Sequence, residues 1–161
     1  SHMVVMLANA LYNRGFINEG FEAFNSIYKM ALSDKGRIYP IIPEYFNNEG
    51  RGLYLYLTGS ASWYIYTLLE EVLGIKFDFG NICLEPKLTR SSFLSKEIKV
   101  KLSLRDNPVE IVFTREVSKD VYRVRDVYVG DEKQILPKNN RYILKREDLN
   151  NKENLIRVRL G

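Results

Sequence analysis

Residues 39–74, YPIIPEYFNNEGRGLYLYLTGSASWYIYTLLEEVLG, join a polar, glycine-bearing loop directly to a helical segment. We predict a helix from about Ser60 to Leu73, followed by Gly74, a residue type that readily adopts a left-handed conformation. Aromatic and aliphatic side chains occur almost all round this helix, which is typical of a helix buried on most sides. The segment therefore predicts a core helix.

Two more helices are expected before this segment. The first runs from Met3 to Asn13 and is closed by Gly15. The second begins at Asn18 or Glu19, and its apolar residues recur at the helical period. The residues spaced to share one of its faces are Phe21, Phe24, Tyr28 and Leu32. Three helices of this kind do not close a core by themselves, so further packing partners are expected.

The residues after Gly74 change from a helical to an alternating hydrophobic pattern. In residues 98–105 apolar side chains alternate with Lys, Ser and Arg, which predicts a half-buried strand. Turns are expected at 106–108 and at Gly130-Asp131. The predicted strands lie within 81–88 and at 98–104, 109–113, 121–129, 133–136, 142–144 and 155–160, the last closing the sheet. We therefore predict an α+β fold in which an antiparallel, sandwich-like unit follows the helices.

The composition limits the classes of protein to which this chain can belong. The 161 residues are 45% hydrophobic, which is enough to bury a core, so a disordered chain is not expected. Ser1-His2-Met3 is interpreted as a tag remnant, residues 4–76 as the helical domain and residues 77–161 as the β-domain. Since His2 is the only histidine, catalysis or metal binding by a native histidine is not expected. The only cysteine, Cys83, lies in an apolar run and is interpreted as a buried, unreactive thiol, so no metal site is expected.

The charge pattern indicates which partners to expect. The net charge is +4, but the basic excess lies after Lys96, where Lys and Arg alternate with Asp and Glu. Interleaved charges are typical of a solvated surface and not of a nucleic-acid interface. The sequence contains neither 18 consecutive apolar residues nor a signal peptide, so a membrane partner is not expected. A cytoplasmic location is predicted.

The loop and the first turn of the core helix have the chemistry of an anion site. The first backbone N–H groups of a helix lack helical partners and lie at the positive end of its dipole. Gly59 permits close approach of an oxyanion, and the hydroxyls of Thr58 and Ser60 are further donors. Arg51 on the preceding loop is a candidate charged donor. The alternative is that Thr58 or Ser60 simply caps the helix and binds no ligand.

Four motifs in this region resemble a known enzyme family. TGSASW (58–63), EVLGI (71–75) and ICLEPKL (82–88), in this order, are similar to the C-terminal region of glycoside hydrolase family 94. These are the inverting glycoside phosphorylases, including cellobiose and chitobiose phosphorylases. With PEYFNNEGRG (43–52) before TGSASW, the chain most resembles the branch for 1,2-β-oligoglucans and cyclic β-1,2-glucans. The resemblance extends over about residues 7–88, and the remaining tail is similar only in general character.

The resemblance implies a fold and an activity. It implies that the helices are the last of an (α/α) toroid and that the tail is the C-terminal β-sandwich, in a fragment of a longer enzyme. That enzyme would cleave a β-linked gluco-oligosaccharide with inorganic phosphate, without a cofactor, and release α-glucose 1-phosphate. The family's phosphate-binding Thr-Gly pair matches Thr58 and Gly59. Its catalytic Asp has no match here, nor has its phosphate-binding His, so we assign no catalytic residue and expect this chain alone to be inactive.

The residues around Glu44 have two interpretations. The resemblance places a carboxylate near the sugar subsites at Glu44, whereas a surface Glu after Pro43 is equally compatible with the sequence. Tyr45 and its neighbours Phe46, Tyr54 and Tyr56 could stack on sugar faces, but aromatic residues beside a buried helix more often belong to a core. We also expect the helices to expose an apolar patch that drives dimer formation or aggregation. Two rival functions are a hydrolase on the same toroid and a non-catalytic carbohydrate-binding or interaction domain.

Overall fold

The chain folds into two compact units in a computed structural model that describes residues 1–39, 41–104, 107–116, 118–135, 141–149 and 154–161. Residues 1–72 form the helical unit and residues 73–161 form the β unit. The fold is therefore α+β, as the change of hydrophobic period predicts. The boundary expected between residues 76 and 77 falls inside the first strand of the β unit.

The described residues of the helical unit form three helices and a small hairpin. The elements are α1 (His2–Asn13), α2 (Ile17–Leu32), β1 (Tyr45–Phe46), β2 (Gly52–Leu53) and α3 (Gly59–Thr67). Thr58 is the N-cap of α3, which continues after Thr67 as a π-helical segment, Leu68–Val72. Gly74 follows with a φ of 63°, in the left-handed region expected of the residue after a helix.

The buried face of α2 differs from the face that its large apolar residues predict. The buried residues are Gly20, Phe24, Ile27 and Ala31, and of the predicted face only Phe24 is buried. Gly20 accounts for the difference, because a Cβ there would lie 2.9 Å from Cδ2 of Tyr12. Tyr12 of α1 therefore lies close against Gly20, while Tyr28 and Leu32 of the predicted face are exposed.

Helix α3 is less buried than its apolar composition predicts. Phe24 stacks on Tyr64 with 3.9 Å between the ring centroids, and the Nδ2 of Asn9 donates to Oγ1 of the buried Thr67 at 3.2 Å. The large residues Ile65, Tyr66 and Leu69 are exposed. The prediction of a helix buried on most sides is therefore wrong for this chain, since the described residues cover one face of it.

The described residues of the β unit form two sheets. The strands are β3 (Ile75–Asp78), β4 (Asn81–Leu84), β5 (Glu97–Leu104), β6 (Asn107–Arg115), β7 (Val124–Val129), β8 (Glu132–Lys133), β9 (Tyr142–Leu144) and β10 (Asn154–Leu160). Five strands pair in the order β5-β6-β10-β7-β8, and three pair in the order β3-β4-β9. Their inward side chains, among them Ile111, Phe113, Ile156 and Val158, are fully buried and form the core of this unit.

The sequence suggests that β10 closes the sheet, but the structure places this strand at the centre of the five-stranded sheet. It pairs parallel with β6, with Ile156 opposite Ile111, and antiparallel with β7, so the five-stranded sheet is mixed. The Nδ2 of Asn154 donates to the carbonyl of Pro108 at 3.0 Å. A central position gives β10 hydrogen-bond partners along both edges and a fully buried inner face.

The structure also corrects the predictions for one turn and two strands. Pro108 lies within β6 and not in a turn, while Asp106 is outside the described residues. Strand β7 is shorter than the predicted 121–129, because Val121 forms only an isolated bridge with Thr89. The hairpin turn at Gly130-Asp131 is confirmed, but β8 ends at Lys133 and Leu136 is outside the described residues.

The β3–β4 hairpin yields a stability prediction. Its two loop residues, Phe79 and Gly80, have φ values of 48° and 88°, and the Phe79 side chain is fully exposed. This backbone favours Asn-Gly, because Asn tolerates the left-handed region better than Phe. We expect Phe79→Asn to stabilise the β unit by about 1 kcal/mol and raise its Tm by about 4 °C. Calorimetry measures this, and an equal gain in Phe79→Ala, which only removes the ring, would contradict it.

Across the described ranges, no helix combines the length and the apolar character that crossing a membrane requires.

Candidate functional site

Thr58 caps the first turn of α3. Its Oγ1 accepts a hydrogen bond from the backbone N–H of Ala61 at 3.1 Å and donates its own proton to the carbonyl of Ile42 at 3.0 Å. The side chain is buried. Thr58 therefore caps the helix in this structure, and its hydroxyl proton is already donated to the carbonyl of Ile42. Any ligand at this helix end would be bound through backbone N–H groups.

The N–H groups at the start of α3 already bind an anion, the side chain of Glu44. Its Oε2 accepts from the backbone N–H of Ser60 at 3.1 Å, and the neighbouring backbone N–H of Gly59 adds a smaller lowering of the Glu44 pKa. The bond from Ser60, followed by the hydrogen bond and charge of His2, holds the pKa of Glu44 below its usual range against the effect of desolvation. The helix end therefore stabilises a negative charge, as its dipole predicts.

At the start of α3, Gly59 leaves open space and Ser60 adds a buried hydroxyl. A Cβ on Gly59 would lie 2.5 Å from Cε1 of the His2 ring, so the missing side chain leaves room that the ring fills. Ser60 is fully buried, and its Oγ has no hydrogen-bond partner among the described residues. The sequence interpretation of Ser60 as a donor is compatible with this position, although the part of the chain that the structure describes offers no acceptor for it.

His2 is a site residue that the sequence did not predict. Its Nδ1 lies 2.6 Å from Oε1 of Glu44, and its backbone N–H donates to the Glu44 carbonyl at 3.3 Å. No sequence signal pointed to this contact, since it joins residues 42 positions apart in sequence. Because His2 is interpreted as part of a tag remnant, we assign the contact to this chain and not to a longer parent protein.

Arg51 and Tyr45 lie on the β1–β2 hairpin. The loop is closed by Asn47, whose Oδ1 accepts from the backbone N–H of Arg51 at 2.9 Å. The Arg51 side chain is exposed, and within the described residues no hydrogen bond or ion pair joins it to Thr58, Gly59 or Ser60. Tyr45 is half exposed. The structure thus brings Glu44, Gly59 and Ser60 together but does not bring Arg51 to them.

The hairpin places Glu44 at the helix end. The backbone N–H of Glu44 donates to the carbonyl of Tyr54 at 3.0 Å, next to the pair formed by Tyr45 and Leu53. On the other side, the Thr58 hydroxyl is bonded to Ile42, two residues before Glu44. These two hydrogen bonds hold the backbone at Glu44 and two residues before it, which positions the Glu44 side chain at the start of α3.

The Glu44 carboxylate predicts a pH dependence of stability. Its pKa is lower in the folded chain, so its contribution is present above its unfolded pKa of about 4.3 and is lost as the pH falls through the folded value. We expect Glu44→Gln to destabilise the helical unit by about 1 kcal/mol at about pH 6 and by a smaller amount at about pH 3. Urea unfolding followed by Trp63 fluorescence measures both differences. Glu49→Gln, the same change on the exposed loop, serves as control, and a pH-independent loss in Glu44→Gln would contradict the prediction.

The remaining candidate groups lie elsewhere. Cys83 is buried, as expected, and burial raises its pKa although the Nε of Arg141 lies 2.6 Å from its sulfur. Within the described ranges, no group of three or more His, Cys, Asp and Glu side chains is placed to hold a metal ion. The start of α3 is therefore the candidate site on which both geometry and charge converge.

Comparison with known proteins adds no relative to these observations. No protein-family model matches the chain, and no curated protein matches it either. Any assignment of function therefore rests on the short motifs of residues 43–88 and on the geometry at the start of α3.

Proposed function

We propose that this chain is the C-terminal part of an inverting glycoside phosphorylase similar to glycoside hydrolase family 94. The observation that carries the proposal is the hydrogen bond from the Ser60 N–H to the Glu44 carboxylate, which lies at the start of α3 and has a lowered pKa. A helix end that binds a carboxylate is equipped to bind phosphate, which presents the same kind of oxygen acceptor with more charge. Thr58 and Gly59 also match the family's phosphate-binding pair.

In the proposed reaction, inorganic phosphate takes the place of Glu44 at these N–H groups. An inverting phosphorylase needs one carboxylic acid to protonate the leaving oxygen, and phosphate replaces the water that a hydrolase activates. The role of this site is to hold the phosphate in line with the anomeric carbon, so that the attack of phosphate on that carbon needs little reorganisation. The general acid comes from an upstream part of the longer enzyme, and the isolated chain is inactive.

The proposal extends to the fold and the substrate. The helical unit corresponds to the last helices of an (α/α) toroid, and the β unit corresponds to the C-terminal β-sandwich. The substrate is a β-linked gluco-oligosaccharide of the cellobiose or β-1,2-glucan type, with phosphate as co-substrate and without a cofactor, in the cytoplasm. Glu44 and Tyr45 are proposed sugar contacts, and Ser60 and Arg51 complete the proposed phosphate site. For Arg51 this requires a rearrangement of the hairpin, since its side chain is exposed in the present structure.

Phosphate titration of the ¹⁵N-labelled chain tests the phosphate site. We expect the amide resonances of Gly59 and Ser60 to shift saturably with phosphate and not with chloride at the same ionic strength. The Glu44→Gln variant is expected to bind phosphate about tenfold more tightly, because a charged competitor has been removed. If phosphate shifts neither amide in either variant, the helix end is only a cap and the proposal loses its structural support.

Self-association is a further expectation of this proposal. If the helices belong to a toroid, the faces that its other helices cover are open here, and a second copy can cover them. Large apolar side chains of the helical unit, including Met3, Leu7 and Ile65, are indeed exposed. We expect gel filtration to give a dimer or larger species, or the monomer to bind a hydrophobic dye. A monomer that binds no dye would contradict this expectation.

A further inference from the structure

The tyrosines of this chain differ widely in burial. Tyr54 and Tyr56, for which the sequence favoured a core role, are 68% and 79% exposed, so that interpretation is wrong. Tyr122 of the β unit, in contrast, is only 1% exposed. A phenol hydroxyl at such a buried position requires hydrogen-bond partners, and these partners show what the surroundings of Tyr122 can bind.

The Tyr122 hydroxyl is surrounded by donors. Its oxygen accepts a hydrogen bond from Nη1 of Arg115 at 3.3 Å and another from the backbone N–H of Lys119 at 3.4 Å. In both contacts the phenol oxygen is the acceptor, and none of the described residues accepts the proton of the hydroxyl itself. Because a buried donor without an acceptor is costly, a ligand oxygen that accepted this proton would be bound favourably.

The Arg115 guanidinium is held beside Tyr122 by aromatic rings. Its Cζ lies 5.1 Å from the centroid of the Phe93 ring, and the Phe93 and Tyr122 rings meet edge to face with 5.4 Å between their centroids. A guanidinium held by a ring and a hydroxyl loses little side-chain freedom when it binds a ligand. Its remaining N–H groups form a planar fork, which matches the oxygens of a phosphate group.

Backbone hydrogen bonds bring Arg90 to the same place. The N–H of Arg90 donates to the carbonyl of Asp120 at 3.1 Å, and the N–H of Tyr122 donates to the carbonyl of Leu88 at 2.9 Å. The Asp120 side chain is exposed and forms no ion pair with the described residues. We call Arg90, Arg115, Lys119 and Tyr122 the Tyr122 cluster.

The Tyr122 cluster has an excess of positive charge. Neither Arg90 nor Arg115 forms an ion pair with a carboxylate of the described residues, and Glu116 is paired with Arg125 instead. Burial acts to raise the pKa of Tyr122, but the hydrogen bonds that its oxygen accepts and the charges of Arg115 and Arg90 outweigh burial and hold this pKa below its usual range. The surroundings of the hydroxyl therefore favour a negative charge.

We propose that the Tyr122 cluster is an anion site in which the Tyr122 hydroxyl and the Arg115 fork bind oxygens of one phosphate group. The hydroxyl donates its proton to one phosphate oxygen, Arg115 donates to others, and Arg90 adds positive charge. A phosphate group offers several acceptor oxygens around one centre, so it can satisfy these donors together. This site lies in the β unit and does not depend on the phosphorylase function proposed for the longer enzyme.

Titration of the ¹⁵N-labelled chain with inorganic phosphate tests the site. We expect the amide resonance of Lys119 and the Nε resonance of Arg115 to shift saturably with phosphate and not with chloride at the same ionic strength. Tyr122→Phe removes only the hydroxyl and is expected to weaken binding about fivefold. Arg115→Lys keeps the charge but removes the fork, and is expected to weaken binding about tenfold. Arg125→Lys, the same change at an arginine already paired with Glu116, should bind phosphate like the unmodified chain.

Each outcome of this titration separates the Tyr122 cluster from the start of α3. If phosphate shifts the amides of Gly59 and Ser60 but neither Lys119 nor Arg115, the Tyr122 cluster only supports the fold and this proposal is overturned. If Lys119 shifts with the same affinity in Tyr122→Phe and Arg115→Lys as in the unmodified chain, phosphate is attracted by general charge alone, which also overturns it. Circular dichroism establishes that each variant is folded, and the titration of the unmodified chain decides the question should a variant unfold.

Discussion

Gly74→Ala is expected to unfold the β unit or to destabilise it by at least about 4 kcal/mol. Gly74 has a φ of 63°, and a Cβ built on it would overlap the backbone carbonyl of Glu85 and the nitrogen of Pro86. These atoms do not move aside easily, because the N–H of Glu85 donates to the carbonyl of Gly74 at 2.8 Å. Ile75 follows Gly74 and Leu84 precedes Glu85, and these two residues are paired partners in β3 and β4. Alanine therefore forces these two strands apart where their pairing begins.

Gly130→Ala is the matched control for this prediction. Gly130 has a φ of 60°, close to that of Gly74, but a Cβ on it would meet nothing within 4 Å. We expect this variant to lose only the cost of the left-handed conformation, about 1–2 kcal/mol. Guanidinium unfolding followed by far-ultraviolet circular dichroism compares the two variants. Equal unfolding midpoints would show that the close approach of Gly74 to the Glu85 backbone is wrong.

Gly59→Ala is expected to lower the phosphate affinity of the chain by at least about tenfold without destabilising it. Gly59 is the first residue of α3, where alanine is a better helix former by about 0.5–1 kcal/mol. The new methyl group would lie against the His2 ring, in the space beside the N–H groups that bind Glu44. The ring is a movable side chain, so the fold tolerates the methyl group. An anion approaching the N–H groups meets it directly.

Ser62→Ala is the control for the Gly59 variant. Ser62 is exposed on the same helix, and its hydroxyl donates to the carbonyl of Thr58 at 3.4 Å, away from the bound carboxylate. We expect its phosphate affinity to match that of the unmodified chain in the same ¹⁵N titration. If Gly59→Ala binds phosphate as well as Ser62→Ala does, the N–H groups of Gly59 and Ser60 are not the phosphate site.

The type and position of most elements follow from the sequence where the hydrophobic period is long. Residues 98–104 alternate over seven positions, and the observed strand Glu97–Leu104 agrees closely with the prediction. The short strand Ile75–Asp78 was missed, because four residues carry too few alternations to identify a strand. The central, parallel position of β10 was also missed, since strand order depends on pairing between residues far apart in sequence.

The candidate site was predictable in its location but not in its details. Thr58 as an N-cap and Gly59 as an open first residue follow from the local sequence alone. The contact between Glu44 and Ser60 joins residues 16 positions apart and depends on the path of the hairpin. The same is true of Arg51, whose proximity in sequence to Thr58 suggested a contact that the hairpin does not make.

The occupation of the helix end by Glu44 gives the site a simple physical character. The N–H groups are ordered and paired before any ligand arrives, so a ligand exchanges one anion for another and does not fold the site. Under the proposed function the cost of phosphate binding is electrostatic, because phosphate would have to displace a carboxylate whose pKa is already lowered at this helix end. The proposal therefore links phosphate affinity to the acid stability of the helical unit through one side chain.

The central claim is that a longer protein containing this chain is a glycoside phosphorylase. Its most direct test is to incubate that protein with inorganic phosphate and either a β-1,2-gluco-oligosaccharide or cellobiose, with the present chain as control, and to measure α-glucose 1-phosphate. We predict phosphate-dependent formation of α-glucose 1-phosphate by the longer protein only. Release of free glucose without phosphate would identify a hydrolase and contradict the claim, and no product from either sugar would contradict the proposed substrate.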